Sequence, residues 1–195
     1  MLKKVPKDDW QYLLPFLACS ICFVAIDLLG LIEKTKFAYW SGFLLVEPYR
    51  IITTHFIHGD TKHLLASAFG IVVARHCLQS LKLKSKYFFL LLISLLIPLQ
   101  ILIFGFVDIY LFRNPMSLAV GFSGVLFGVN SFILFSSIYG KQRFVFLDIG
   151  LRKNQQIRQN IIALTSLGIA CSLLPGISLL GHLTGFIAGL LLFLL

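Results

Sequence analysis

The chain has 195 residues, 58% of them hydrophobic and only 13% charged, with a mean hydropathy of +0.91. Soluble domains carry about 25% charged residues, so this composition excludes a chain that folds in water. It also leaves the net charge of +9 without a soluble basic face for nucleic acid.

The useful ruler is therefore the bilayer, at about 20 apolar residues per spanning helix. Six apolar stretches answer to it, at about 12–31, 63–81, 87–107, 122–140, 159–175 and 177–195. The first is expected to be retained, because no small-residue cleavage site closes it. It holds the lone pair Cys19 and Cys22, read together with Cys77 and Cys171 as small packing residues rather than a metal or redox motif. Asp27 lies near its outer end, where solvation is expected.

The segment from Glu47 to Ser67 leads into the second stretch and carries Arg50, His55, His58 and His63. At helical spacing His63 and Ser67 are i and i+4, so they share a face and are expected to point at one spot. His55 and His76 are expected at the interface. No H-E-x-x-H pattern is present and no acidic residue accompanies these histidines in the bundle, so no metal is expected. The third stretch holds Gln100 and the fourth Asn130, both expected to hydrogen-bond between helices.

A loop beginning at Asn114-Pro115 ends where the fourth helix opens, in the run Gly121-Phe-Ser123-Gly124-Val-Leu-Phe127-Gly128. Ser123 is thus expected at a helix N-terminus, where free backbone donors and the positive dipole end suit a developing oxyanion. After a tight turn at Pro175-Gly176, the sixth helix contains Gly181-His182-Leu-Thr-Gly185-Phe-Ile-Ala-Gly189. His182, Gly185 and Gly189 fall on one face. Small residues spaced by four bring membrane helices into close contact, so Gly185 and Gly189 are expected to lie against Gly124 and Gly128. That contact would turn His182 toward Ser123, a nucleophile with its general base.

Twelve basic residues fall on one side of this arrangement: Lys3, Lys4, Lys7, Arg75, Lys82, Lys84, Lys86, Lys141, Arg143, Arg152, Lys153 and Arg158. Five fall on the other: Lys34, Lys36, Arg50, Lys62 and Arg113. The positive-inside rule then predicts that both termini face the cytoplasm and that Ser123, His182 and His63 share the outer side. With no internal repeat and no linker, residues 1–195 are expected to form a single all-α bundle of six transmembrane helices.

The three clusters resemble the signature of the rhomboid family of intramembrane serine proteases, over roughly Glu47 to Gly189. The resemblance implies Ser123 as nucleophile and His182 as base, with His63 and Ser67 at the positions of the family's oxyanion donors. Arg50 and His58 match the frame of the preceding loop. Ser67 departs from the amide the pattern would place there, and Phe127 stands where tyrosine is frequent, keeping a ring to pack on the base without a hydroxyl. The resemblance further implies a multi-pass protein of a bacterial plasma membrane that cleaves single-spanning membrane proteins near the outer face, with no cofactor and no metal. The short first connection is also similar to the rhombosortase branch, which processes C-terminally anchored proteins. An inactive, client-binding relative is a third reading, supported by Ser67 and Phe127.

Overall fold

The computed structural model of the chain describes residues 9–114 and 116–195; Lys3, Lys4 and Lys7 of the basic tail, and Pro115 of the expected loop, lie outside them. Six long helices account for most of the described residues: α1 (Trp10–Phe23), α3 (Thr61–Ser80), α4 (Phe88–Phe106), α5 (Ser123–Tyr139), α6 (Gln155–Cys171) and α7 (Leu179–Leu194). A short α2 (Arg50–Thr53) lies in the first connection. Both α1 and α4 run on into a wider π-type turn, Val24–Leu28 and Val107–Leu111.

The helix starts follow capping chemistry. Asp60 accepts a hydrogen bond from the backbone N–H of His63 at 2.8 Å, which fixes His63 in the first turn of α3. Asn154 caps α6 through Ile157, and Ser178 caps α7 through Gly181 at 3.0 Å. At the start of α4 the N–H of Phe89 has no carbonyl of its own helix, and the Gln11 side chain of α1 accepts it at 2.8 Å.

Among the described residues two helices meet the length and hydropathy of a membrane crossing, Trp10–Leu28 and Phe88–Leu111, while α5 and α7 are apolar but shorter. The reason is compositional. α3 and α6 carry His, Ser, Thr, Gln and Arg, and the expected sixth segment opens later than drawn, at Leu179 rather than 177, because Ser178 is spent as the cap. The fifth segment likewise shifts toward the N-terminus, to Gln155–Cys171 in place of 159–175.

The core sits along α4 and α5, where Phe88, Phe89, Leu92, Leu96, Phe122, Val125 and Phe132 are fully buried. Outward faces are apolar too. Leu65, Phe69 and Val72 on α3, and Ile187, Leu191 and Leu194 on α7, stand exposed at helical spacing, a surface suited to lipid and not to water.

α5 and α7 touch backbone to backbone. A Cβ added at Gly185 would run into the carbonyl group of Gly124, and one at Gly189 into that of Gly128. Gly124 and Gly128 face the carbonyls of Gly181 and Gly185 in return. Only glycine on both helices permits this approach.

The first connection is ordered by polar contacts. Arg50, 5% exposed, donates through Nε to Glu47 at 2.5 Å and through Nη1 to the carbonyls of Thr35 and Ala38, each at 2.6 Å. Strands β1 (Tyr39–Trp40) and β2 (Leu118–Ala119) pair antiparallel, Tyr39 opposite Ala119. At the far end of α5, strands β3 (Lys141–Phe144) and β4 (Leu147–Leu151) form a hairpin whose Phe144, Ile149 and Leu151 close the core.

Candidate active site

Ser123 is the first residue of α5, half-buried, and the loop that delivers it hangs from Thr54. The Thr54 hydroxyl accepts from the N–H of Tyr39 at 3.0 Å and donates to the carbonyl of Ala119 at 2.7 Å, while the Thr54 carbonyl accepts from the N–H of Gly121 at 2.9 Å. Gly121 has φ +117°, a conformation that L side chains rarely adopt, and its Cα lies against the His63 ring where a Cβ would overlap Cε1 and Nε2.

His182 lies in the first turn of α7 and is 7% exposed. Its Nε2 is 2.9 Å from Ser123 Oγ. The Phe127 ring, one turn into α5, stacks on the imidazole with centroids 4.2 Å apart and planes 10° from parallel. On the other nitrogen, Nδ1 is 2.5 Å from the hydroxyl of Ser172, the residue that follows α6. Gln100 steadies this turn from α4, donating through Nε2 to the Gly181 carbonyl at 3.3 Å and to the Thr184 hydroxyl at 3.1 Å.

The first-connection histidines separate into different tasks. His63 is half-buried, and its Nδ1 accepts from the N–H of Gly59 at 3.4 Å. His58 stands edge-on to it, with ring centroids 5.1 Å apart. The Ser67 hydroxyl, expected beside His63, is buried and bonded to His58 Nε2 at 3.2 Å. The i, i+4 face is shared, but a 2% exposed hydroxyl needs a partner, and His58 is the one within reach.

Other expectations change as well. His55 is not interfacial but 1% exposed, its Nε2 bonded to the carbonyl of Ile97 at 3.0 Å. Asp27 pairs with Lys34 at 2.5 Å instead of being merely solvated. Cys19 and Cys77 are buried as packing residues, Cys22 is half-buried, and Cys171 is exposed. Gln100 makes its interhelical bonds, whereas among the described residues none is found for Asn130. Among the described residues no three His, Cys, Asp or Glu side chains converge as metal ligands.

Sequence reasoning passed over Ser172. Its only signal is a hydroxyl at a helix end just before the Pro175-Gly176 turn that returns the chain toward His182, and serines are common at such ends. Gly168 was passed over too, although a Cβ there would press into the Phe127 ring that covers His182.

Comparison with curated proteins gives no match. The family model described as Rhomboid domain matches residues 46–195, a stretch that takes in every side chain of the site described above.

Proposed function

The chain belongs to the rhomboid family, integral membrane proteins that include intramembrane serine proteases as well as inactive members, and from that premise we propose that it is an active serine endopeptidase cutting the transmembrane segments of single-spanning membrane proteins. The observation that carries the reading is the 2.9 Å approach of Ser123 Oγ to His182 Nε2, made by two helices joined through glycine. An inactive relative has no need of that pair.

In the proposed reaction Ser123 Oγ attacks the scissile carbonyl while its proton passes to His182 Nε2. The resulting oxyanion is met by the backbone N–H of Ser123, which no carbonyl within α5 can take, and by His63. The tautomer of His63 supports its part. Its Nδ1 accepts from Gly59, so in the neutral ring the hydrogen sits on Nε2, the atom beside Gly121 and the approach to Ser123. Collapse of the intermediate takes the proton from His182 to the leaving amine, and water then cleaves the acyl-enzyme by the same pair in reverse.

α1 and α3 to α7 would be the six spans, with both termini on the cytoplasmic side and the site near the outer face. The basic residues of the α3–α4 connection and of the β3–β4 hairpin would lie inside. No cofactor enters any step. The test is a serine-reactive fluorophosphonate probe applied to the purified protein, followed by cleavage of a single-spanning substrate in liposomes. Labelling of wild type that disappears in Ser123→Ala is expected; labelling that persists there would overturn the reading.

A further inference from the structure

Ser172 is 5% exposed, and two atoms compete for its one proton. Its Oγ is 2.7 Å from the carbonyl oxygen of Gly168 and 2.5 Å from Nδ1 of His182. A carbonyl oxygen can only accept, so the Ser172 proton goes to Gly168 and a lone pair of Oγ faces the imidazole. Nδ1 must then carry the hydrogen. A neutral imidazole has one, which leaves Nε2 bare and facing the hydroxyl of Ser123.

We infer that Ser172 is a positioning residue that holds His182 in the tautomer able to take the proton of Ser123. The inference rests on the reading of Ser123 and His182 as nucleophile and base. In the opposite tautomer Nε2–H would donate to Ser123 and could accept nothing from it, while Nδ1 would need a donor. Ser172 could supply one only by releasing Gly168. During acylation the Ser123 proton moves to Nε2 as the Oγ–carbon bond forms, and both imidazolium nitrogens then carry hydrogen. Ser172 accepts from Nδ1 before and after, and no proton passes to it. Because the group is a neutral hydroxyl and not a carboxylate, it orients the ring without pairing its charge.

Gly168 serves the same ring twice. Its carbonyl takes the proton of Ser172, and its missing side chain leaves the space for Phe127 to stack on His182. The end of α6 and the residue after it therefore hold a nitrogen of the base directly and a face of it through Phe127.

The test uses the full chain in lipid nanodiscs with its histidines labelled by ¹⁵N, the His182 resonances being identified by their loss in His182→Ala. Wild type should show a protonated Nδ1 and a bare Nε2, and Ser172→Ala should lose that preference. Reversing the tautomer at the base of a serine protease costs about 10⁴-fold in turnover. Loss of a neutral acceptor should cost less, about 10- to 100-fold in kcat with KM unchanged, and Ser172→Thr, which keeps the hydroxyl, should recover most of it. A wild-type ring protonated at Nε2 would overturn the inference, and that spectrum decides it even if Ser172→Ala does not fold. So would a Ser172→Ala protein with wild-type tautomer and wild-type labelling rate. If wild type fails to react with a fluorophosphonate, the protease reading falls, and the nitrogen shifts still report whether Ser172 holds the tautomer.

Discussion

Ser67 lies one helical turn beyond His63, yet its hydroxyl is committed to His58. Ser67→Ala should therefore leave turnover close to wild type while lowering stability by about 1–3 kcal/mol, the cost of a buried ring nitrogen left without its partner. His63→Ala should do the reverse, reducing turnover by about 10²- to 10³-fold, the loss typical of an oxyanion donor, at little cost in melting temperature. Turnover and melting of both variants on one substrate check the division; a His63→Ala enzyme near wild type would remove His63 from the oxyanion hole. For the pair itself, Ser123→Ala and His182→Ala should each abolish cleavage without unfolding the protein, and the double variant should be no worse than either, since both disable one step. Multiplicative losses would mean that the residues act apart. Ser123, His182 and Phe127 were legible because each sits at a helix position with a fixed neighbour three or four residues away. Ser172 was not, because what gives it meaning is a contact between the end of one helix and the start of the next, across a turn whose path the sequence leaves open.

The α5–α7 contact was readable for the same reason, small residues at intervals of four on two helices. Gly185→Val places a branched side chain on the carbonyl of Gly124, so melting temperature and cleavage should fall together. A variant that melts and cuts as wild type would show that the two backbones do not meet. The first connection was read less well, because its order comes from side chains that bond to backbone far away in sequence, as Arg50 does to Thr35 and Ala38. Its Glu47 gives a pH signature. The bond from Arg50, and secondarily that from the Tyr49 hydroxyl, hold the Glu47 carboxyl below its ordinary value. A group depressed on folding contributes stability that is present above the ordinary carboxylate range and is lost as pH falls through the lowered value. Melting temperature in detergent should therefore drop on acidification more steeply for wild type than for Glu47→Gln; parallel curves would show that the ion pair adds nothing.

At the scale of the whole molecule, composition alone told that the chain belongs in lipid, and the exposed apolar faces of α3 and α7 fit that solvent. Hydropathy marks two helices among the described residues as long and apolar enough to span, Trp10–Leu28 and Phe88–Leu111, while the helices that build the site carry polar groups or are shorter. The site draws on three helices and the residue that follows a fourth, with His63 on α3, Ser123 on α5, Ser172 just past α6 and His182 on α7. That order sets a clock on synthesis. If Ser123 and His182 act as nucleophile and base, the serine is made well before its base, and in the interval it lacks the imidazole proposed to take its proton. On that reading the nascent chain would stay unreactive until the glycines of α7 lie against α5. Chains ended after Gly176 should enter membranes and remain inert to a fluorophosphonate, and supplying 177–195 as a separate peptide should restore reactivity. Labelling of the shortened chain by itself would show that the serine is armed by something other than His182.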